Sequence, residues 1–194
     1  PSKSRGLGDV YKRQELVEKY PSSLLVQDPR SSNAAIGWIK AIYDQELISR
    51  DDAKKLRKRV FPSWSSSYSA FLEGEAPFVW SYNSSEAYHR CEDKENRYQA
   101  LPLSEGYPVQ EELLVWINKE KAPAKEEEIK TQFWEFLLSK NVQEKISMKN
   151  WMWPADNSVE LPKCFAQVQK VKELSDRKKH SGQKINEWLE DWTL

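Results

Sequence analysis

Apolar positions follow two rhythms along this chain. The contiguous run Ser23-Leu-Leu-Val-Gln27 predicts a short buried strand, because a strand covered on both faces needs no polar alternation. Pro29 and the short polar residues of 28–33 end it in a turn. From Ala34 to Leu47 the spacing is helical, with Ile36, Ile39, Ile42 and Tyr43 on one face, and Glu15–Tyr20 reads as the end of an earlier helix. A further helix is predicted over Asp51–Val60, with Asp51 and Asp52 at its positive end and basic residues at its negative end. Another covers Ser65–Leu72 and stops at Gly74. Phe78–Tyr82 reads as a strand, after which Asn83-Ser-Ser caps a helix beginning near Glu86. Tyr98–Leu103 and Glu112–Ile117 read as two more strands. Lys125–Ser147 reads as one long helix with Ile129, Phe133, Phe136, Leu137 and Val142 inward. Two helical pieces follow Pro162 and end in Trp188, Leu189 and Trp192. Strands alternating with helices predict an α/β fold with a largely parallel sheet.

Composition narrows the function classes. The 194 residues suit one domain, or one large lobe with parts of another. Lys and Arg total 30 and so do Asp and Glu, which removes the basic surplus that a nucleic-acid binder carries. No apolar run approaches the ~18–20 residues that span a bilayer. The chain opens with Pro1 instead of Met and shows no leader, so it is expected to be a fragment. Residues 1–14 form a basic, Gly-containing tail without apolar period that resembles a translated adaptor sequence, and it is set aside as non-native. The two cysteines, Cys91 and Cys164, lack a CxxC partner, which argues against a metal site. They are expected to be separate buried thiols, with a disulfide in an oxidising compartment as the alternative.

Nine Trp residues are many for this length, and two stretches set aromatic residues beside Ser or Asn at element ends: Phe78-Val-Trp-Ser-Tyr82 continuing to His89, and Asn150-Trp-Met-Trp-Pro154. Rings that stack on a flat molecule, with short polar groups reading its edges, fit a small polar or cationic ligand. Tyr82 closes a strand and Tyr88 lies just past the Asn83-Ser-Ser cap, on the side of an α/β sheet where ligands gather. Phe78 and Trp80 are expected to be buried. Trp64 sits at a loop exit, either covering a core edge or forming a stacking wall. Trp151 and Trp153 alternate across Met152, so one can face a cleft while the other packs inside. Ser31 and Ser32 precede a helix, where hydroxyls either bind an anion or, more commonly, cap the helix. Catalysis has little support. His89 has no evident acidic orienter, His180 lies in a charged run that reads as solvated surface, and no phosphate-loop or metalloprotease motif occurs.

At these residues the chain resembles the periplasmic thiamine-binding proteins that serve thiamine and thiamine-phosphate ABC importers. The resemblance rests on Gln27-Asp-Pro-Arg-Ser-Ser32, Trp64-x-x-x-Tyr68-x-x-Phe71-Leu-x-Gly74, Ser81-Tyr-x-x-Ser85-x-x-Tyr88-His89, Ser104-Glu-Gly106 and Asn150-Trp-Met-x-Pro154, in family order over about residues 15–194. It implies a type II, venus-flytrap periplasmic-binding-protein fold with the ligand held between two lobes. Residues 15–104 would form most of the second lobe, 105–148 would return to a first lobe that is missing, and 149–194 would carry the hinge crossing and C-terminal helices. An exposed apolar patch is therefore expected on 125–147.

The resemblance further implies that Trp64, Tyr82, Tyr88 and Trp151 line the site for the pyrimidine and thiazolium rings, with Ser31 and Ser32 at the hydroxyethyl or phosphate end. The ligand would be thiamine, its monophosphate or its diphosphate, with no cofactor and no metal. The partner would be an ABC importer permease, and the full-length protein a monomer, periplasmic or lipid-anchored outside the cytoplasm. Two departures stand out. Asn33-Ala-Ala-Ile-Gly37 replaces the Pro-Gly usual after the serines, and Trp153 stands where Tyr is usual. The alternatives are a binding protein for a polyamine or a ferric complex, or a carbohydrate-active enzyme with a Trp-lined cleft and two facing carboxylates.

Overall fold

The structure, a computed structural model, describes residues 12–94, 97–117, 124–174 and 179–192. These divide into two compact units. The first comprises the described residues of Pro1–Tyr82, Ala100–Gln110 and Gln169–Leu194; the second comprises those of Asn83–Gln99 and Glu111–Val168.

The first unit is built on three parallel strands, β1 (Leu24–Gln27), β2 (Val60–Phe61) and β3 (Phe78–Val79), in the order β2-β1-β3. Val26 pairs with Val60, and Leu24 with Phe78. As the central strand, β1 has Leu25, Val26 and Gln27 wholly buried, which accounts for its unbroken apolar run. Helices α1 (Arg13–Lys19), α2 (Asn33–Gln45), α3 (Arg50–Leu56) and α4 (Trp64–Leu72) surround the strands. Each of the last three starts on a serine: Ser32 accepts from Ala35 N–H, Ser49 from Asp52 N–H, and Ser63 forms a reciprocal capping box with Ser66. Gly74, at φ +86°, follows α4 as expected.

The core of this unit joins Val26, Trp38, Ile39, Ile42, Leu56 and Trp80 to Trp188 from the C-terminal helix α9 (Gly182–Glu190) and to Trp192 in the turn after it. Tyr43 stacks on Trp188 at 5.4 Å and donates its hydroxyl to Asp191. His180 belongs to this packing and not to a solvated surface: it pairs with Asp44 and sits edge-on to Trp188. Arg13 and Gln14, set aside with the tail, also take part. Arg13 begins α1, is buried, lays its guanidinium over Trp38 at 4.4 Å and donates to Gly106 O. Burial pulls its pKa down to about 10, against the opposing charge of Glu105.

Asp52 is held at about 2 by hydrogen bonds from Lys55, Ser49 and Gln14. A carboxylate depressed in the folded state stabilises above its unfolded pKa of about 4, and that stability is lost as pH falls towards 2. Acid unfolding of Asp52→Asn, followed by circular dichroism, is therefore expected to show a shallower loss of stability between pH 4 and 2 than the parent. An unchanged acid slope would remove Asp52 from the account.

Three predicted strands change. Only Phe78 and Val79 of the 78–82 run join the sheet. Tyr98–Leu103, where only Leu103 makes an isolated bridge, and Glu112–Ile117 form no strand among the described residues. An alternating pattern supplies one side of a strand pair but not its partner, and Leu113 and Ile117 are 79% and 85% exposed. The chain at 107 instead meets 173 in a single parallel bridge, with Tyr107 N–H donating to Lys172 O and Leu174 N–H to Tyr107 O. Gly106 makes this possible: its φ is +99°, and a Cβ would lie 2.9 Å from Lys172 O. Gly106→Ala is expected to cost roughly 1–2 kcal/mol in chemical denaturation; no loss would mean that the bridge yields freely.

The second unit is helical. It contains α5 (Ser85–Tyr88), continued by a π-helical turn over His89–Asp93, and then α6 (Ala124–Leu138), α7 (Lys140–Asn150) and α8 (Lys163–Ala166). The expected cap on α5 is not made: Ser84 is the N-cap residue, without a side-chain bond. The long helix predicted over 125–147 is broken at Ser139, whose hydroxyl and N–H both go to Phe136 O. Its inward face is also different from the prediction. Ile129, Phe133 and Phe136 are exposed and Leu137 and Val142 half-buried, so the expected exposed apolar patch is present. Gln143 is buried and holds the following loop. Its carbonyl accepts from Ala155 and Asp156 N–H, and its amide donates to Leu137 O.

The two cysteines are not separate thiols. Cys91, in the π-helical turn, is bonded to Cys164 on α8. They lie 73 residues apart in sequence, and their 5.3 Å Cα separation arises only in the folded unit.

Candidate ligand-binding site

The six residues expected to bind ligand fall into two sets, one in each unit. In the first unit, Trp64 opens α4 just after β2, and Tyr82 follows β3, so both lie beyond the carboxyl ends of parallel strands. Trp64 is half-buried and donates its indole N–H to Ser81 Oγ at 3.1 Å. Its ring stacks on Tyr68 at 4.7 Å, with 16° between planes, and meets Tyr82 at 6.3 Å in a tilted contact. Tyr82 is 38% exposed. Tyr68 and Ser81, without a site role in the sequence reading, join this cluster, and the i, i+4 spacing of Trp64 and Tyr68 places those two on one helix face. This cluster presents a half-buried indole and accessible phenols, the surface that a flat cation stacks on.

Beneath it, wholly buried Gln27 donates to Ser67 Oγ and Trp80 O, tying β1 to α4 and to the segment that leads to Tyr82. Trp80 is buried as expected, stacked on Trp38 at 5.1 Å.

Ser31 and Ser32 do different work. Ser32 is buried, and its hydroxyl caps α2. Ser31 is exposed and donates its hydroxyl to Pro62 O at 2.6 Å and Asp28 O at 3.1 Å, tying the turn after β1 to the turn before α4. Beside it Arg30 pairs with Asp28, and that hydrogen bond holds the Asp28 carboxyl below its usual range.

In the second unit, Tyr88 ends α5 and Trp151 is the C-cap of α7. Their rings meet edge to face at 5.2 Å and 85°, and Tyr88 remains 39% exposed. Trp151 has φ +52°, a left-handed conformation that is costly for a residue with a Cβ. It packs with Cys91 and Leu161 against buried Ala87, Phe165 and Val168. Trp153 packs edge-on against Phe165. His89 does have an acidic partner: its Nδ1 lies 2.7 Å from Asp93, and its buried ring sits against Tyr88 and Tyr98. Asp93 follows His89 at i, i+4, a spacing visible in the sequence. Among the described residues no cluster of His, Cys, Asp or Glu suits a metal ion, and no helix is long and apolar enough to cross a membrane.

No family profile matches the chain. Individual proteins do. It is 35% identical over 189 residues to the thiamine-binding periplasmic protein of Brucella melitensis, covering 91% of this chain and 55% of that protein. It is 33% identical over 191 residues to the protein of the same name from Escherichia coli, covering 92% and 55%. A solved structure of a periplasmic thiamin binding protein superposes with a TM-score of 0.69 at 27% identity, covering 95% of this chain and 58% of that one. The chain spans about half the length of the curated relatives it matches. By sequence and by fold, it is similar to part of the periplasmic thiamine-binding proteins and carries part of the α/β periplasmic-binding-protein fold.

Proposed function

We propose that this chain is part of a periplasmic solute-binding protein that captures thiamine, or its mono- or diphosphate, and delivers it to an ABC importer through the permease. The observation that carries this reading is the placement of Trp64 with Tyr82, and of Tyr88 with Trp151, in a chain whose relatives are named for binding thiamine. Thiamine is flat, aromatic and cationic at its thiazolium, and a cation over an indole or phenol face gains roughly 0.5–2 kcal/mol. The Ser31 turn is assigned to the hydroxyethyl or phosphate end, and Ser32 supports it as the helix cap. The protein acts by binding and not by catalysis, in keeping with relatives named as binding proteins. The Cys91–Cys164 disulfide supports an oxidising compartment such as the periplasm.

The test is Trp fluorescence of the chain completed to the length of its curated relatives, titrated with thiamine, its two phosphates and spermidine. Saturable quenching by a thiamine compound at submicromolar concentration is expected. Silence to all three thiamine compounds, or a response to spermidine alone, would overturn the assignment.

A further inference from the structure

We infer that the Cys91–Cys164 disulfide positions the Tyr88–Trp151 ring pair, so that ligand capture by this chain depends on the bridge being intact. The inference rests on the thiamine-binding reading for the ligand, but its structural half stands by itself. Cys91 lies three residues after Tyr88, in the turn that continues the same helix. Cys164 lies on α8 beside Phe165. The bridge therefore joins the element that ends in Tyr88 to the element against which Trp151 packs. Cys91 and Trp151 belong to one apolar cluster, around Ala87, Phe165 and Val168.

These elements have little to hold them unaided. Helices α5 and α8 have four residues each and no side-chain cap, well below the length at which a helix stands alone. Trp151 occupies a left-handed conformation that its surroundings must enforce. An edge-to-face contact is directional, and a small rotation of α5 would lose it. Reduction by a dithiol breaks the S–S bond, and two electrons and two protons from the reductant give two free thiols. With α5 and α8 then untied, Tyr88 no longer holds its angle to Trp151.

The experiment follows the indole N–H signals of Trp151 and Trp64 by NMR while the chain is reduced with dithiothreitol and then reoxidised. Thiamine affinity is measured in parallel on the chain completed to the length of its relatives. On reduction the Trp151 signal should move or broaden while that of Trp64 stays, with affinity falling at least tenfold and both recovering on reoxidation. An unmoved Trp151 signal in the reduced protein or in Cys91→Ala/Cys164→Ala, with affinity retained, would overturn the inference. So would loss of every dispersed amide signal of the second unit, which would make the bridge a general stabiliser. Failure of the oxidised protein to bind thiamine would count against the functional reading, while the Trp151 signal would still decide whether the bridge positions the rings.

Discussion

Trp80→Ala is expected to lower stability by about 4 kcal/mol, a large share of what a domain of this size has to lose. The indole is buried, lies parallel to Trp38 at 5.1 Å and meets Trp192 at 5.9 Å. Truncating it would leave a cavity where β3, α2 and the C-terminal segment meet, between rings too large to collapse into the gap. Chemical denaturation of the variant measures the loss. A cost below about 1 kcal/mol would show that the three rings are not the core of the first unit.

Trp64→Ala and Trp151→Ala should behave in the opposite way. Each ring is only half-buried, so the stability cost is expected to be smaller than that of Trp80→Ala, while each change weakens thiamine binding by about 2 kcal/mol, roughly thirtyfold. For Trp64 the loss includes a stacking surface and the disordering of Tyr68, which rests on it. For Trp151 a second comparison separates backbone from ring. Because φ is +52°, Trp151→Gly should be about 1 kcal/mol more stable than Trp151→Ala, with binding equally weak in both. Equal stability of the two would mean that the left-handed conformation is not retained.

The same residue type thus serves two purposes, and the sequence separates them only in part. Trp80 sits inside a predicted strand and reads as core; Trp64 sits at a loop exit, where core edge and stacking wall read equally well, and of Trp151 and Trp153 one can face a cleft. That distinction is local, and local signals survive into the fold: the apolar run of β1, a serine cap at the start of α2 and the stop at Gly74 all appear where they were expected. What failed was what depends on a distant partner. Glu112–Ile117 has a strand's alternation but no ladder. Ile129, Phe133 and Phe136 have the apolar period of an inward face but remain exposed, which the periodicity misses and the resemblance anticipates. The pairing of Cys91 with Cys164, of His180 with Asp44 and of Arg13 with Trp38 arises from contacts across many residues of sequence, which no periodicity encodes. The candidate site was legible as residue types, and the first unit's ring cluster follows from the short spacing of Trp64 from Tyr68 and the position of Tyr82 after its strand, whereas the meeting of Tyr88 with Trp151 needs the fold. The role of Ser32 as a cap, with Ser31 left to the surface, was not legible, since both hydroxyls precede the helix equally well.

The claim on which the account rests is that both ring pairs serve thiamine. Calorimetric titration of thiamine into the completed protein, and into its Trp64→Ala and Trp151→Ala variants, tests it most directly. The account predicts tight binding by the parent and a fall of roughly thirtyfold in each variant, with both still folded. Undiminished affinity in either folded variant would contradict it.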